Sequence, residues 1–157
     1  MEKGYKIFCD LDGVLSDFAG AYEKITGRDI RGKHIESSAH FWVPVNEAGY
    51  SFWANMEWLG EGRRLWKYIE KYNPDILSAP SRQEVSRVGK KDWVKRELPG
   101  IRLILRSAKN KKELAAKNHI LIDDRESNIN DWIANHGIGI LHKTTNETIK
   151  KLKELGL

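Results

Sequence analysis

At 157 residues the chain has the length of one compact domain, and 40% apolar with 31% charged residues and six tryptophans exclude a disordered tail, a collagen-like chain and a coiled coil. No apolar run approaches the roughly 20 residues that span a bilayer, and the opening residues reach a charged cluster too soon for a secretion leader, so a soluble, cytoplasmic protein with no membrane partner is expected. The one cysteine, Cys9, allows no internal disulfide, and neither it nor the five histidines, His34, His40, His119, His136 and His142, show zinc-site spacing. The net charge of +5 is uneven, −2 over residues 1–78 and +7 over residues 79–157, with the excess between Arg82 and Lys117. Such an excess suits a phosphate-bearing partner, and equally a set of solvated helix faces.

In chain order, short apolar runs alternate with longer helical patterns, which is how a parallel sheet with crossover helices reads in sequence. The expected strands are Lys6 to Cys9, Asp75 to Ser78, Ile101 to Leu105, Ile120 to Ile122 and Ile138 to Leu141, with a helix after each. Leu65, Tyr68 or Ile69, and Tyr72 put one stripe on a helix from Gly62 to Tyr72; Val88, Trp93 or Val94, and Leu98 do so from Glu84 to Leu98. Ile129, Trp132 and Ile133 mark a core face on Glu126 to Asn135, with Gly137 as its stop, and Thr145 or Asn146 caps a last helix ending at Leu155. Residues 28–61 break the rhythm and carry six of the fifteen aromatic residues between Phe41 and Trp58. They read as a small cap inserted over the sheet's carboxyl edge, where open α/β sheets bind ligands.

The chemistry begins where the first strand runs into Asp10-Leu11-Asp12-Gly13. Two carboxylates this close repel unless a cation lies between them or one holds a proton. A plain turn with an N-cap at Ser16 or Asp17 would also account for the pair taken alone. Three further segments add the groups phosphate chemistry needs. Ser78 ends the second strand, Asp123-Asp124 end the fourth as hard oxygen ligands suited to magnesium, and Lys109-Asn110-Lys111-Lys112 supply an ammonium. Each has a bland reading by itself, as turn serine, helix cap or solvated face. Their order along parallel strands, which brings all these ends to one edge, is what discriminates.

In that order the sequence resembles the haloacid dehalogenase (HAD) superfamily, whose pattern is DxDG(V/T), then Ser or Thr, then Lys, then an acidic pair. Within it the chain is most similar to the 5'(3')-deoxyribonucleotidases and their phage and bacterial relatives. The residues behind this are DLDGVLSDF (Asp10 to Phe18), LSAPSR (Leu77 to Arg82), KKDWVKREL (Lys90 to Leu98) and ILIDDRESNI (Ile120 to Ile129). The resemblance implies one HAD-like α/β domain over residues 1–157: a Rossmann-like parallel five-stranded sheet flanked by helices, with a mainly helical cap at about 28–61. It implies a Mg2+-dependent phosphatase in which Asp10 is the nucleophile that forms an aspartyl-phosphate and Asp12 the general acid and base. Mg2+ would be held by Asp10, the Asp12 carbonyl and Asp124, with Asp123 behind them. Ser78 and Lys111, or Lys109 in its place, would bind phosphate. Ala79 stands where the nucleotidases have a hydroxyl residue, and Arg82 where they have a substrate-contacting lysine. Phe18 matches an aromatic of the base pocket, to which Trp42 and Trp53 are added, with Phe41, Phe52 and Trp58 as further stacking candidates. The expected substrate is a nucleoside monophosphate. The alternatives are a 3'-phosphate on a DNA or RNA end, favoured by the basic stretch, and a catalytically dead nucleic-acid-binding module.

Overall fold

A computed structural model describes residues 4–33 and 39–157; residues 34–38 of the expected cap, His34 among them, lie outside the described residues. Lys6–Cys9 (β1), Asp75–Ser78 (β2), Leu103–Leu105 (β3), His119–Asp123 (β4) and Ile138–Leu141 (β5) form one parallel sheet in the order β3-β2-β1-β4-β5. β1 is central, with Cys9 level with Ile76 on one side and Ile122 on the other. From β1 the chain steps outward to β2 and β3, then returns to lay β4 and β5 on the opposite side. The connections leaving β1 and β4 therefore diverge, and this opens a crevice at the carboxyl ends of these two neighbours.

The strands are short apolar runs because both faces of the sheet are covered. Successive side chains alternate between faces, so Ile7, Cys9, Ile76, Ile120, Ile122 and Ile140 join one core. That core is completed by Leu65 and Ile69 of α4 (Gly62–Ile69), Trp93 and Val94 of α5 (Glu84–Glu97) and Leu152 of α7 (Thr145–Glu154). Phe8, Leu77, Ile104 and Leu121 meet Ile129 and Trp132 of α6 (Glu126–Ala134) on the other face. There the Trp132 ring stands edge-on to Phe8 at 5.5 Å between centroids.

The five-stranded α/β architecture agrees with the sequence expectation, and the differences are local. β3 begins at Leu103, because the Ile101 amide donates to the Leu98 carbonyl at 3.1 Å and closes a turn through Pro99 and Gly100. The helix between β3 and β4 is a 3-10 segment, Ala108–Leu114. On α5 the buried stripe is Ser86, Gly89, Lys90, Trp93 and Val94. Val88, expected on that stripe, lies on the opposite side at 100° per residue and is exposed, as is Ile133, one residue off the stripe of α6. The left-handed residue that ends α6 is His136, with φ 72°. Gly137 follows it for a different reason: a Cβ there would stand 2.2 Å from the Trp132 indole nitrogen. Thr144, and neither Thr145 nor Asn146, caps α7, since its hydroxyl accepts the Glu147 amide at 3.2 Å. Thr145 is buried and donates to the Glu61 carbonyl, while Asn146 accepts from Arg64.

Helix α1 (Phe18–Thr26) is capped by Asp17, whose carboxylate accepts the Gly20 amide at 2.9 Å. Between α1 and α4 lie α2 (Ala39–Ala48) and α3 (Tyr50–Ala54). α3 and the turn after it are fastened to α5: the Trp93 indole donates to the Met56 carbonyl and the Arg96 guanidinium to the Ala54 carbonyl, both at 2.7 Å. Gly89 makes this approach sterically possible, because a Cβ there would sit 2.5 Å from Trp53 Cβ and 3.1 Å from the Ala54 amide nitrogen. Ala is ordinarily worth about 1 kcal/mol more than Gly inside a helix. Gly89→Ala should instead destabilise by about 1–3 kcal/mol through overpacking, read as a lower urea midpoint; a stabilised variant would show that α3 does not dock this closely.

Candidate active site

β1 delivers Asp10 directly. Its amide donates to the Ile122 carbonyl at 2.9 Å, extending the β1–β4 pairing by one residue, and the side chain ends 7% exposed at the crevice. The chain then turns back on itself: the Leu11 carbonyl accepts the amides of Leu15 and Ser16 at 2.9 Å, and Gly13 takes φ 82°. That position needs glycine twice over, for its left-handed backbone and because a Cβ would lie 2.1 Å from Asp124 Oδ2. The turn presents Asp12 to the same opening. Its Oδ1 accepts from the Ser16 hydroxyl at 2.9 Å and its Oδ2 from Lys90 Nζ at 2.6 Å.

β4 supplies the second acidic pair. Asp123 is fully buried and saturated: Oδ1 accepts the Arg125 amide at 2.9 Å, and Oδ2 accepts from Lys111 Nζ at 2.9 Å and Asn128 Nδ2 at 3.0 Å. Asp124, one residue on, turns toward solvent at the rim of the site. Lys111 bridges the two strands, donating also to Asp10 Oδ1 at 3.0 Å. Burial opposes its charge, but Asp10 and Asp123 outweigh that and hold the ammonium above its ordinary range. Lys109, two residues earlier in the 3-10 segment, is about 240° away at three residues per turn; it is exposed and lies outside the cavity lining.

Carboxylate oxygens of Asp10, Asp123 and Asp124 lie within 4.8 Å of one another. Burial, then the charge of Asp123, pushes the Asp10 carboxyl well above the usual carboxylate range despite Lys111. Asp124 reaches solvent at the rim, but the protein packed around it still desolvates its carboxyl, and this, then the charge of Asp123, pushes it up to about 6. An all-oxygen cluster short of positive charge fits a hard divalent cation such as Mg2+. Both oxygens of Asp123 already accept hydrogen bonds, three in all, whereas Asp10 accepts one from Lys111.

Two polar residues of this site carry no role in the sequence reading. Asn128 fixes Asp123, and Lys90 is 1% exposed, bonded to Asp12 and, at 2.8 Å, to the hydroxyl of Ser78 at the end of β2. A signal for Lys90 was available. It sits four residues after Ser86 and three before Trp93, a charged residue in register with a helix's buried stripe. Lys90 and Lys111 also change the meaning of the basic stretch, since two of its cations face carboxylates inside the site and add nothing to a surface patch.

The cavity above these groups has a volume of about 680 Å³. It is lined by Asp10, Asp12, Ser78, Lys111, Asp123 and Asp124, by the aromatic residues Phe18, Trp42 and Trp53, and by the cations Arg31, Lys33, Arg125 and Lys143 among others. The Trp42 and Trp53 rings are stacked at 6.5 Å, 22° from parallel. Phe41 and Phe52 do not line the cavity. Phe41 stacks on Tyr22 at 4.4 Å and Phe52 packs edge-on to Phe18 at 5.4 Å, so both belong to the aromatic core beneath. Trp58 packs on Trp93. Arg82, in the loop before α5, is exposed and outside the lining, although Ala79, Pro80 and Ser81 of the same loop are part of it.

No protein-family model matches the chain, and no curated protein matches its sequence. Among solved structures, 46 chains match. They include a hydrolase from Streptococcus pneumoniae TIGR4, with 10% identity over 97% of this chain and 100% of that one and a TM-score of 0.59. A predicted phosphatase from Clostridium acetobutylicum has 13% identity over 96% and 98%, also with a TM-score of 0.59. A HAD family hydrolase from Deinococcus radiodurans R1, solved with bound phosphate and sodium, has 10% identity over 94% and 89% and a TM-score of 0.50. At these identities the likeness is one of fold, the parallel α/β sheet flanked by helices that this chain shares with those hydrolases and phosphatases.

The acidic cluster makes a prediction with a definite sign. Asp124 has a folded-state pKa above its unfolded value near 3.9, so its protonation stabilises the fold below that value, and the contribution is lost as pH rises through about 6. Mg2+ should therefore raise the melting temperature more at about pH 7.5 than at about pH 5, where protons compete for the same oxygens. Equal shifts at the two pH values, in thermal unfolding with and without Mg2+, would remove the metal site.

Proposed function

We propose that this protein is a Mg2+-dependent phosphomonoesterase that hydrolyses nucleoside monophosphates, with deoxyribonucleotides as the foremost class, by way of an aspartyl-phosphate. The observation that carries the reading is the convergence of Asp10, Asp12, Ser78, Lys111 and the Asp123-Asp124 pair in the lining of one cavity, which two stacked tryptophans also line.

A phosphate monoester would enter with its phosphoryl group against these residues. The Ser78 hydroxyl and Lys111 ammonium would bind its oxygens, and the base would lie against Trp42, Trp53 and Phe18, where stacking contributes about 1–3 kcal/mol per base. An Asp10 oxygen attacks phosphorus as the bond to the ester oxygen breaks, and Asp12 gives the departing alkoxide a proton. Asp12 then takes a proton from water as the water oxygen attacks the same phosphorus. The Asp10–phosphorus bond breaks, inorganic phosphate leaves, and both carboxyl groups return to their starting state. Asp10, Asp124 and the Asp12 carbonyl would hold Mg2+, which supplies positive charge against the phosphoryl oxygens. Asp123 keeps Lys111 in place.

Lys33, Arg125 and Lys143 along the cavity lining, which form no ion pair among the described residues, favour one alternative substrate, the 3'-phosphate of a nucleic-acid end. One experiment tests both: phosphate release with Mg2+ over 5'- and 3'-(deoxy)nucleoside monophosphates and a 3'-phosphorylated oligonucleotide, at low and high salt. The mononucleotide reading expects turnover of monophosphates with weak salt dependence. Asp10→Asn should abolish it and Asp12→Asn should slow it by about 10²–10⁴-fold. Turnover confined to the oligonucleotide and falling steeply with salt would select the alternative. Unchanged activity in Asp10→Asn would overturn both.

A further inference from the structure

Lys90 has three neighbours that no surface lysine has. Its ammonium, 1% exposed, donates to Asp12 Oδ2 at 2.6 Å and to Ser78 Oγ at 2.8 Å, and it lies 5.0 Å from the centroid of the Trp53 ring. We propose that Lys90 is a positioning residue that holds the Asp12 carboxyl group in line for passing its proton to the leaving oxygen and aims the Ser78 hydroxyl at the phosphoryl group. The proposal rests on Asp12 being the acid and base of the reaction.

Asp12 is gripped from two directions. Ser16, in its own turn, holds Oδ1 at 2.9 Å, and Lys90, from a helix 78 residues further along the chain, holds Oδ2. With one donor on each oxygen the plane of the carboxyl group is set, while 24% of the side chain remains open to the cavity. Ser78 is oriented by the same ammonium. Because its oxygen accepts from Lys90, its hydrogen is free to point away, toward the cavity that the residue lines. Lys90 is itself held. The absent side chain at Gly89 lets α3 lie against α5, and Trp53 then covers the ammonium with the face of its ring. Each of these contacts would be lost one turn along α5 in either direction. Nor is Lys90 a second phosphate lysine, since it does not line the cavity as Lys111 does.

The test separates positioning of the acid from a general role in binding or folding by varying the leaving group. Alkoxide departure from a nucleoside 5'-monophosphate needs a proton, and departure of p-nitrophenolate does not. The quantity to compare is kcat/KM, which reports the steps through leaving-group departure, for wild type, Asp12→Asn and Lys90→Met on both substrates. Lys90→Met should lose about 10²-fold on the nucleotide and roughly tenfold less on p-nitrophenyl phosphate, the same kind of split as Asp12→Asn. Equal losses on both substrates would place Lys90 on the phosphoryl group and overturn the proposal, as would no loss on either. A split in Asp12→Asn without one in Lys90→Met sinks the role of Lys90 alone. No split in Asp12→Asn removes the acid reading of Asp12 and this proposal with it. Thermal unfolding confirms that each variant is folded. Should Lys90→Met fail to fold, Lys90→Gln, which keeps a neutral donor of similar reach, carries the same comparison and should show a smaller split.

Discussion

Four carboxylates open into one cavity from the ends of two adjacent strands, and two buried ammonium groups make that crowding tolerable. Lys111 lies between Asp10 and Asp123, and Lys90 between Asp12 and Ser78. A buried charge stripped of its partner costs about 3–5 kcal/mol, so neither lysine is an optional contact. The compensation is incomplete. Asp10 and Asp124 stay above the ordinary carboxylate range, and the shortfall of positive charge is what a divalent cation would fill. The cluster lowers the stability of the empty fold in order to bind charge, the compromise expected where function and packing compete.

Much of the surrounding architecture serves those two lysines. Lys111 reaches inward because a tight 3-10 turn follows β3, which puts Lys111 and Lys109 on different sides. Lys90 reaches inward because α5 turns one charged residue onto its buried stripe, and α3 comes close enough to seal it. The aromatic residues divide in the same way. Tyr22, Phe41 and Phe52 form a core of their own, and this core carries Trp42 and Trp53 to the cavity that the carboxylates line. Core and cavity wall are therefore one cluster, and a molecule lying against that wall would meet the side chain that covers Lys90.

Legibility in the sequence followed the range of the interaction. The five strands were readable because both sheet faces are buried, which writes each strand as a short apolar run. Asp10, Asp12, Ser78 and Asp123-Asp124 were readable as a set because parallel strands send every carboxyl end to the same edge. The cap of α7 is ambiguous in sequence because Thr144 and Thr145 are equally suitable by residue type, and the stop of α6 reads as Gly137 because residue type favours glycine there, yet His136 takes the left-handed backbone. Packing against Trp132 and Glu61 made the choice. Ile133 reads as core in sequence because an apolar residue one position off a stripe looks the same as one on it.

What the sequence determined by itself is the sheet, the edge on which chemistry would collect and the acidic motif in it, because all three depend on periodicity and on residues a few positions apart. What only the tertiary structure decided is which cations enter the site and which aromatics face it. Lys111 and Lys109 differ only in the side of a turn they occupy. Lys90 finds Asp12 across 78 residues, and Trp42 and Phe41 are neighbours in sequence with different surroundings. Those outcomes depend on where α5, α3 and the turn after β3 come to rest against the sheet, and that is set by packing over the whole chain, which no local pattern of residues encodes.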